Sequence, residues 1–363
     1  MTLEEFLAEW RNDRESVLVH TSGSTGEPKA MWVEKKRMEA SARITCKFLG
    51  LKEGDTALLC MPLDYIAGKM MVVRALTCGL QLLSVEPSGH PLSSPSSPYR
   101  GGREGSWGGR EGSQGSFAFA AMVPLQVWNS LQVPEERERL MQIRHLIIGG
   151  GAIDEELARE LKDFPNAVWS TYGMTETLSH IALRRLSGPE ASEWYTPFEG
   201  VTLSQTPDGC LIIDAPAVHD GPLVTNDVVA FSSPRPLPAS PVRGGGGGGG
   251  GEGSFSFRVL GRKDNVICSG GVKIQAEEVE RRLQPLLKAP FLITKCKDKK
   301  FGEQVVLLTE GMDTKAVVAV CREVLPKYWQ PRHYLHVDRL PLTATGKPAR
   351  KEAERLAALA VEV

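Results

Sequence analysis

Apolar positions along this chain recur with two periods that alternate. Leu3, Phe6, Leu7 and Trp10 share one helical face, and Thr2 with Glu5 is spaced as a capping box, so residues 2–10 read as a short amphipathic helix. The apolar run Val17-Leu18-Val19 predicts a strand over 16–20. A helix is expected over 38–49, a strand over 55–61 and a helix over 68–78. After a break come strands at 117–122 and 145–148, the latter running into Gly149-Gly150-Gly151, with a helix over 134–141 between them. A helix over 154–161, with Asp154 as its N-cap, leads to a strand at 167–170. This alternation predicts an α/β fold: a large N-terminal domain with a mostly parallel sheet flanked by helices. In such sheets ligands gather beyond the C-terminal ends of the strands. From 262 onward the pattern predicts a small α+β C-terminal domain, with helices at 276–287 and 314–325, strands at 292–295 and 305–309, and a final loop. The expected division is therefore 1–261 and 262–363.

Two stretches break the pattern. Near 88–116 and again near 232–254 the composition turns to Ser, Pro, Gly and Arg, and Gly244 to Gly251 is an unbroken glycine run. Neither stretch can bury a core. Both follow one template, from Ser93-Ser94-Pro95 to Phe117-Ala118-Phe119 in the first and from Ser232-Ser233-Pro234 to Phe255-Ser256-Phe257 in the second. They read as one repeated insert, tolerated because loop-closure cost grows slowly with length.

Composition narrows the class. The chain has 363 residues, 41% of them hydrophobic and 24% charged, enough for two domains with substantial cores. A net charge of -1 leaves no electrostatic footprint for nucleic acid or a membrane surface. The acidic start Met1-Thr2-Leu3-Glu4-Glu5, and apolar runs all short of the ~18 residues a span needs, predict a cytoplasmic protein without membrane insertion. Seven scattered cysteines without paired spacing read as reduced small hydrophobes.

Five stretches carry candidate chemistry. The first, Thr21-Ser22-Gly23-Ser24-Thr25-Gly26-Glu27-Pro28-Lys29, follows the 16–20 strand. Glycines let backbone approach an anion, hydroxyls and N–H groups donate to phosphate oxygens, and lysine adds charge. By itself such a loop is more often a plain surface turn. Ser170-Thr171-Tyr172-Gly173-Met174-Thr175-Glu176-Thr177 offers an aromatic face, hydroxyls and a carboxylate at a strand terminus. Asp227 precedes an apolar run in Thr225-Asn226-Asp227-Val228. Gly261-Arg262-Lys263-Asp264-Asn265 joins the two units, with Ser269-Gly270-Gly271 after it. Pro341-Leu342-Thr343-Ala344-Thr345-Gly346-Lys347 sets a lysine near the C-terminus.

In this order, these motifs resemble those of the adenylate-forming superfamily of acyl-CoA synthetases, luciferases and peptide-synthetase adenylation domains. The resemblance spans residues 21–350. It implies ATP, Mg²⁺ and CoA as cofactor and co-substrates. Thr21, Ser22, Gly23, Ser24, Thr25, Gly26 and Lys29 would surround the phosphates. Tyr172 would lie on adenine with Ser170, Thr171, Gly173, Gly150 and Gly151 around the nucleotide and acyl pocket, and Asp227 with Arg262 would bind ribose. Thr175 would touch the α-phosphate, Glu176 would hold the metal, Asp264 would be the hinge, and Lys347 would bridge carboxylate and α-phosphate.

For the acid substrate, Met61 to Lys69 occupies the place of the family's gate to the acyl pocket, with Tyr65 where a histidine is common. Tyr65, Lys69, Arg74 and Gly150 are the candidate substrate contacts. Two added cations suit a second carboxylate, although Lys69 and Arg74 also read as solvated helix charges. Within the superfamily the chain is most similar to the 2-succinylbenzoate–CoA ligases of menaquinone biosynthesis. That resemblance implies activation of an aromatic dicarboxylate as an acyl-adenylate and transfer to CoA. Other aromatic acids, a carrier-protein acceptor, or a non-catalytic nucleotide-binding remnant are the alternatives. The phosphate loop starts only 20 residues into the chain, where relatives usually carry a large N-terminal region; a homo-oligomer is one way to close that gap.

Overall fold

The computed structural model describes residues 1–20, 30–93, 117–151, 153, 155–232, 255–311, 314–343 and 348–361. Helix α1 (Leu3–Arg11) is closed by the expected capping box: Thr2 Oγ1 accepts from Glu5 N at 3.2 Å and Glu5 Oε2 accepts from Thr2 N at 2.7 Å. Strand β1 (Ser16–His20) forms where expected, but outside the parallel sheet. It pairs antiparallel with β2 (Ala30–Glu34), so the candidate phosphate loop joins the arms of a hairpin. Alternation explains the placement, because Val17 and Val19 enter the core while the intervening positions do not.

The central sheet follows. Helix α2 (Lys35–Leu49) ends at Gly50, whose φ of +63° closes the last turn as few other residues could. Then come β3 (Thr56–Leu59), α3 (Ile66–Cys78), β4 (Gln81–Ser84), β5 (Phe119–Met122), α4 (Pro124–Leu131), α5 (Pro134–Gln142), β6 (His145–Ile148), α6 (Glu155–Lys162), β7 (Ala167–Gly173), β8 (His180–Arg185) and β9 (Thr196–Pro197). The seven strands lie in the order β4-β3-β5-β6-β7-β8-β9; the first five are parallel and the last two antiparallel. The expected parallel sheet flanked by helices is therefore present. Helix α4, unforeseen in the sequence, starts on Pro124 at its first turn. The expected N-cap Asp154 lies outside the described residues.

A second, wholly antiparallel sheet comprises β10 (Thr202–Gln205), β11 (Cys210–Asp214), β12 (Leu223–Phe231) and β13 (Phe257–Arg262). After a 3-10 turn at Lys263–Asn265 come β14 (Val266–Ser269), β15 (Val272–Gln275), α7 (Ala276–Leu283), β16 (Phe291–Asp298), β17 (Gly302–Thr309), α8 (Thr314–Val324), β18 (His333–His336) and α9 (Arg350–Val361). Their sheet runs β15-β14-β17-β16, with β18 parallel to β17. Two expectations are corrected here. Helix α7 stops at Leu283 and not Leu287: Gln284 keeps helical dihedrals, but Pro285 has no N–H with which to continue the ladder. The anticipated final loop contains β18 and α9, whose buried Ala353 and Ala357 gave little apolar signal.

Buried apolar residues form one cluster from Phe6 to Phe257 and two others from Ile267 to Ala357. Both inserts fall between strands whose register is set elsewhere. The first separates β4 from β5, each of which pairs with β3. The second lies within the β12–β13 hairpin, where Phe231 still faces Phe257 and Asp227 still faces Arg262. The insert template overreached at both ends: Phe119 and Phe257 are fully buried first residues of strands.

Candidate active site

The candidate residues converge on the tips of β6 and β7. Strand β7 runs to Gly173 rather than Ser170, because β8 pairs with it as far as Gly173↔His180, so Ser170 to Gly173 belong to the strand itself. Beside it, the β6 tip can press close only as glycine. A Cβ on Gly149 would sit 2.5 Å from Thr171 Oγ1, and Gly150 has φ +76°. Ser170 Oγ lies 2.8 Å from the Tyr195 hydroxyl, which ties β7 to the segment before β9.

Tyr172 leads to the second sheet. Its hydroxyl donates to Asp227 Oδ2 at 2.7 Å, and its ring meets Phe257 edge-on, with centroids 5.0 Å apart. Burial, and then the Asp227 carboxylate, raise the Tyr172 hydroxyl above the ordinary tyrosine range. Asp227 is the cross-strand partner of Arg262, whose Nη1 stands 3.6 Å from Asp227 Oδ1. Asp227 N donates to Thr225 Oγ1 at 3.1 Å. Arg262 Nη2 also reaches Asp264 Oδ2 at 3.4 Å, and Asn226 Nδ2 donates to the same oxygen at 3.4 Å. Asp264 thus occupies the turn between β13 and β14, tied to both Arg262 and Asn226. Gln275 Nε2 donates to the Arg262 carbonyl at 2.8 Å, and any side chain at Gly261 would collide with Gln275 and Glu277.

Between β7 and β8 the chain makes a tight turn carrying Thr175 and Glu176. Thr177 N donates to Met174 O at 3.2 Å and Leu178 N to Thr175 O at 2.9 Å. Leu178 has φ +64°, alone among the described non-glycine residues. Such backbone costs on the order of 1–3 kcal/mol and persists only where its surroundings impose it. Glu176 is half-buried and makes no hydrogen bond or ion pair with another described residue. No group of three metal-ligating side chains occurs among the described residues. A carboxylate without a partner among the described residues fits Mg²⁺, which keeps waters and substrate phosphates as its other ligands. Thr21, Ser22, Gly23, Ser24, Thr25, Gly26, Lys29 and Lys347 lie outside the described residues.

The candidate substrate contacts separate. Tyr65 caps α3 and is 50% exposed. Lys69 and Arg74, read either as substrate cations or as solvated charges, are only 3% and 2% exposed. Lys69 Nζ donates to the Leu18 carbonyl at 3.0 Å, lies over the Phe6 ring and stands 3.9 Å from Glu9 Oε2, so it fastens α3 to α1 and β1. Arg74 Nη2 donates to Ser179 Oγ at 2.7 Å beneath the Thr175–Glu176 turn. The solvated alternative fails for both, and both side chains engage the protein's own frame. The sequence also hid Tyr195 and Phe257, whose rings stack 5.5 Å apart behind Tyr172. Neither belongs to a local motif, and Phe257 was masked by its place at the end of an insert.

The chain resembles known proteins over most of its length. Residues 5–203 match the family described as AMP-binding enzyme. A 2-succinylbenzoate–CoA ligase from Geobacillus kaustophilus (strain HTA426) is 28% identical over 363 residues, covering 94% of this chain and 69% of its own. One from Bacillus cereus (strain AH820) is 24% identical, covering 93% and 69%. Among solved structures, an acyl-CoA synthetase (AMP-forming)/AMP-acid ligase II-like protein from Dyadobacter fermentans is 30% identical with a TM-score of 0.59, covering 96% of this chain and 91% of its own. The Bacillus subtilis O-succinylbenzoate Coenzyme A synthetase, in complex with ATP and magnesium ion, matches with a TM-score of 0.67 at 22% identity over 92% of this chain and 69% of its own.

Proposed function

Because the chain belongs to the AMP-binding enzyme family and is an AMP-forming acyl-CoA ligase, we propose that it activates 2-succinylbenzoate as an acyl-adenylate and transfers the acyl group to CoA. The observation that carries this reading is the Tyr172–Asp227–Arg262 cluster beside the Thr175–Glu176 turn. Tyr172 offers a ring for adenine, and Asp227 accepts from the ribose hydroxyls while Arg262 orients its carboxylate. Residues 21–29 hold the β- and γ-phosphates, Thr175 meets the α-phosphate, and Glu176 holds Mg²⁺. When bound, the ion offsets charge on the departing pyrophosphate. Lys347 bridges the substrate carboxylate and the α-phosphate, two anions that must approach each other for reaction. Residues 1–261 and 262–363 act as two units about the Asp264 turn, so that the second can leave after adenylation and admit the thiol.

Carboxylate-dependent ATP–pyrophosphate exchange tests the assignment. It should appear with 2-succinylbenzoate and not with acetate, long fatty acids or amino acids. Silence with every aromatic acid would overturn the proposed adenylation chemistry, and exchange with benzoate but not the dicarboxylate would overturn the substrate. Lys347→Ala should lower adenylation by more than ~100-fold, on the scale of a lost preorganised charge stabiliser, while thiol transfer from preformed adenylate continues.

A further inference from the structure

Arg74 has the wrong surroundings for an ordinary buried charge. Its side chain lies within the core beside the Phe119 ring, 5.9 Å from the centroid, and no carboxylate among the described residues pairs with it. Nη1 approaches only Met71 Sδ, at 3.9 Å, and Nε has no partner among the described residues. Burial pushes its pKa down to about 10, which leaves it protonated near neutral pH. Burying a cation without an anion is costly and is retained where it does something else.

What it does can be followed by donor and acceptor logic. Arginine only donates, so Ser179 Oγ accepts from Arg74 Nη2; the same oxygen lies 3.1 Å from His180 Nδ1, which accepts the serine hydrogen because the other ring nitrogen is the donor. His180 Nε2 then carries the ring hydrogen and donates to Thr45 Oγ1 at 3.2 Å, and Thr45 donates to the Ser41 carbonyl at 3.1 Å. Every hydrogen in this chain has one direction, fixed at its far end by the Ser41 carbonyl, which can only accept, and closed at the near end by the guanidinium, which can only donate. The far side of Ser179 faces the turn. Its carbonyl lies 2.7 Å from Thr177 Oγ1, which in turn accepts from Met174 N at 3.0 Å, and it would sit 2.2 Å from any Cβ placed on Gly173. Ser179 thus follows directly on Leu178, the residue in the left-handed region.

We propose that Arg74 and Ser179 are positioning residues: the buried guanidinium fixes Ser179, and through it the Met174–Leu178 turn, in the conformation that presents Thr175 and Glu176. The part of this concerning catalysis rests on the function proposed above.

The test uses the full chain with Ser179→Ala and Ser179→Thr, the second restoring the acceptor. Hydrogen exchange should accelerate about tenfold or more over 174–179 in Ser179→Ala, as expected where a local brace is lost, while α3 and β5 exchange as before and Ser179→Thr returns the turn toward wild type. In ATP–pyrophosphate exchange the alanine variant should lose roughly tenfold in kcat with KM for ATP changed less than about twofold, the pattern of misplaced reacting groups. Its Mg²⁺ requirement should rise. Unchanged exchange over 174–179, or acceleration spread evenly along the chain, overturns the brace. A loosened turn with unchanged kcat and Mg²⁺ requirement overturns its link to catalysis. Should the wild type show no pyrophosphate exchange, the proposed function fails by itself, and hydrogen exchange still decides the brace.

Discussion

The Tyr172–Asp227–Arg262 cluster and the Met174–Ser179 turn both adjoin the same strand, β7, yet are held by opposite means. Around Tyr172 the bonds run between charged, half-exposed partners on neighbouring strands, with Asp227 set against Arg262 by sheet register. Around Thr175 and Glu176 the bonds run through backbone, hydroxyls and one buried cation that lacks a carboxylate. A half-exposed pair gives up its contacts to water or ligand at little cost, since such pairs contribute only about 0–1 kcal/mol. A buried, fully directed chain of hydroxyl and imidazole cannot be rearranged so cheaply. The difference suggests a division of labour in which recognition is exchangeable and the presentation of reacting groups is preset.

The contrast can be broken most forcefully at Asp227. Asp227→Ala should lower kcat/KM for ATP by ~30-fold, chiefly through KM, as expected when a charged hydrogen-bond acceptor is lost in binding. A loss confined to kcat in steady-state kinetics would show that this residue belongs with the preset half. Acid probes the other side. Burial, and then the neighbouring Arg74 charge, hold His180 well below the ordinary histidine range, so it is neutral in the fold. The unfolded chain takes up that proton near pH 6.5, so the contribution is complete above this pH and is lost as pH falls. Denaturant titrations at pH 7 and pH 5 should show the wild type losing about 1–2 kcal/mol more than His180→Gln. Equal losses would mean that the imidazole can be protonated in place. Tyr172→Phe should raise KM for ATP about threefold and leave kcat alone, since the ring remains and only an exchangeable bond is removed. Smallest of all, deletion of residues 94–113 should move the melting temperature by no more than about 1 °C, because closing a shorter connection changes little. A loss of folding would show that the first insert carries structure.

Most of the parallel sheet was legible because β3, β5, β6 and β7 are short apolar runs with stretches of helical period between them; β4, which no helix follows among the described residues, was not foreseen. Asp227 and Arg262 could be singled out by local motif, but their pairing across β12 and β13 could not, since the intervening sequence hides the register. Lys69 and Arg74 misled for a physical reason. A cation on a helix is usually solvated, and nothing local announces that Leu18 and Ser179, far along the chain, will receive these two. Helix α9 was missed because alanines mark its buried face, and alanine reads equally well as surface.

The hairpin of β12 and β13 stays paired to its end because Phe257 bridges to Tyr195 and pairs with Phe231, and Ser232 N still donates to the Ser256 carbonyl at 2.9 Å. That makes the stretch between Ser232 and Phe255 a natural splice point for engineering. A circularly permuted fluorescent reporter grafted there would sit on the same two strands that carry Asp227 and Arg262, the pair proposed to bind ribose, and would report on whether that pair responds to nucleotide.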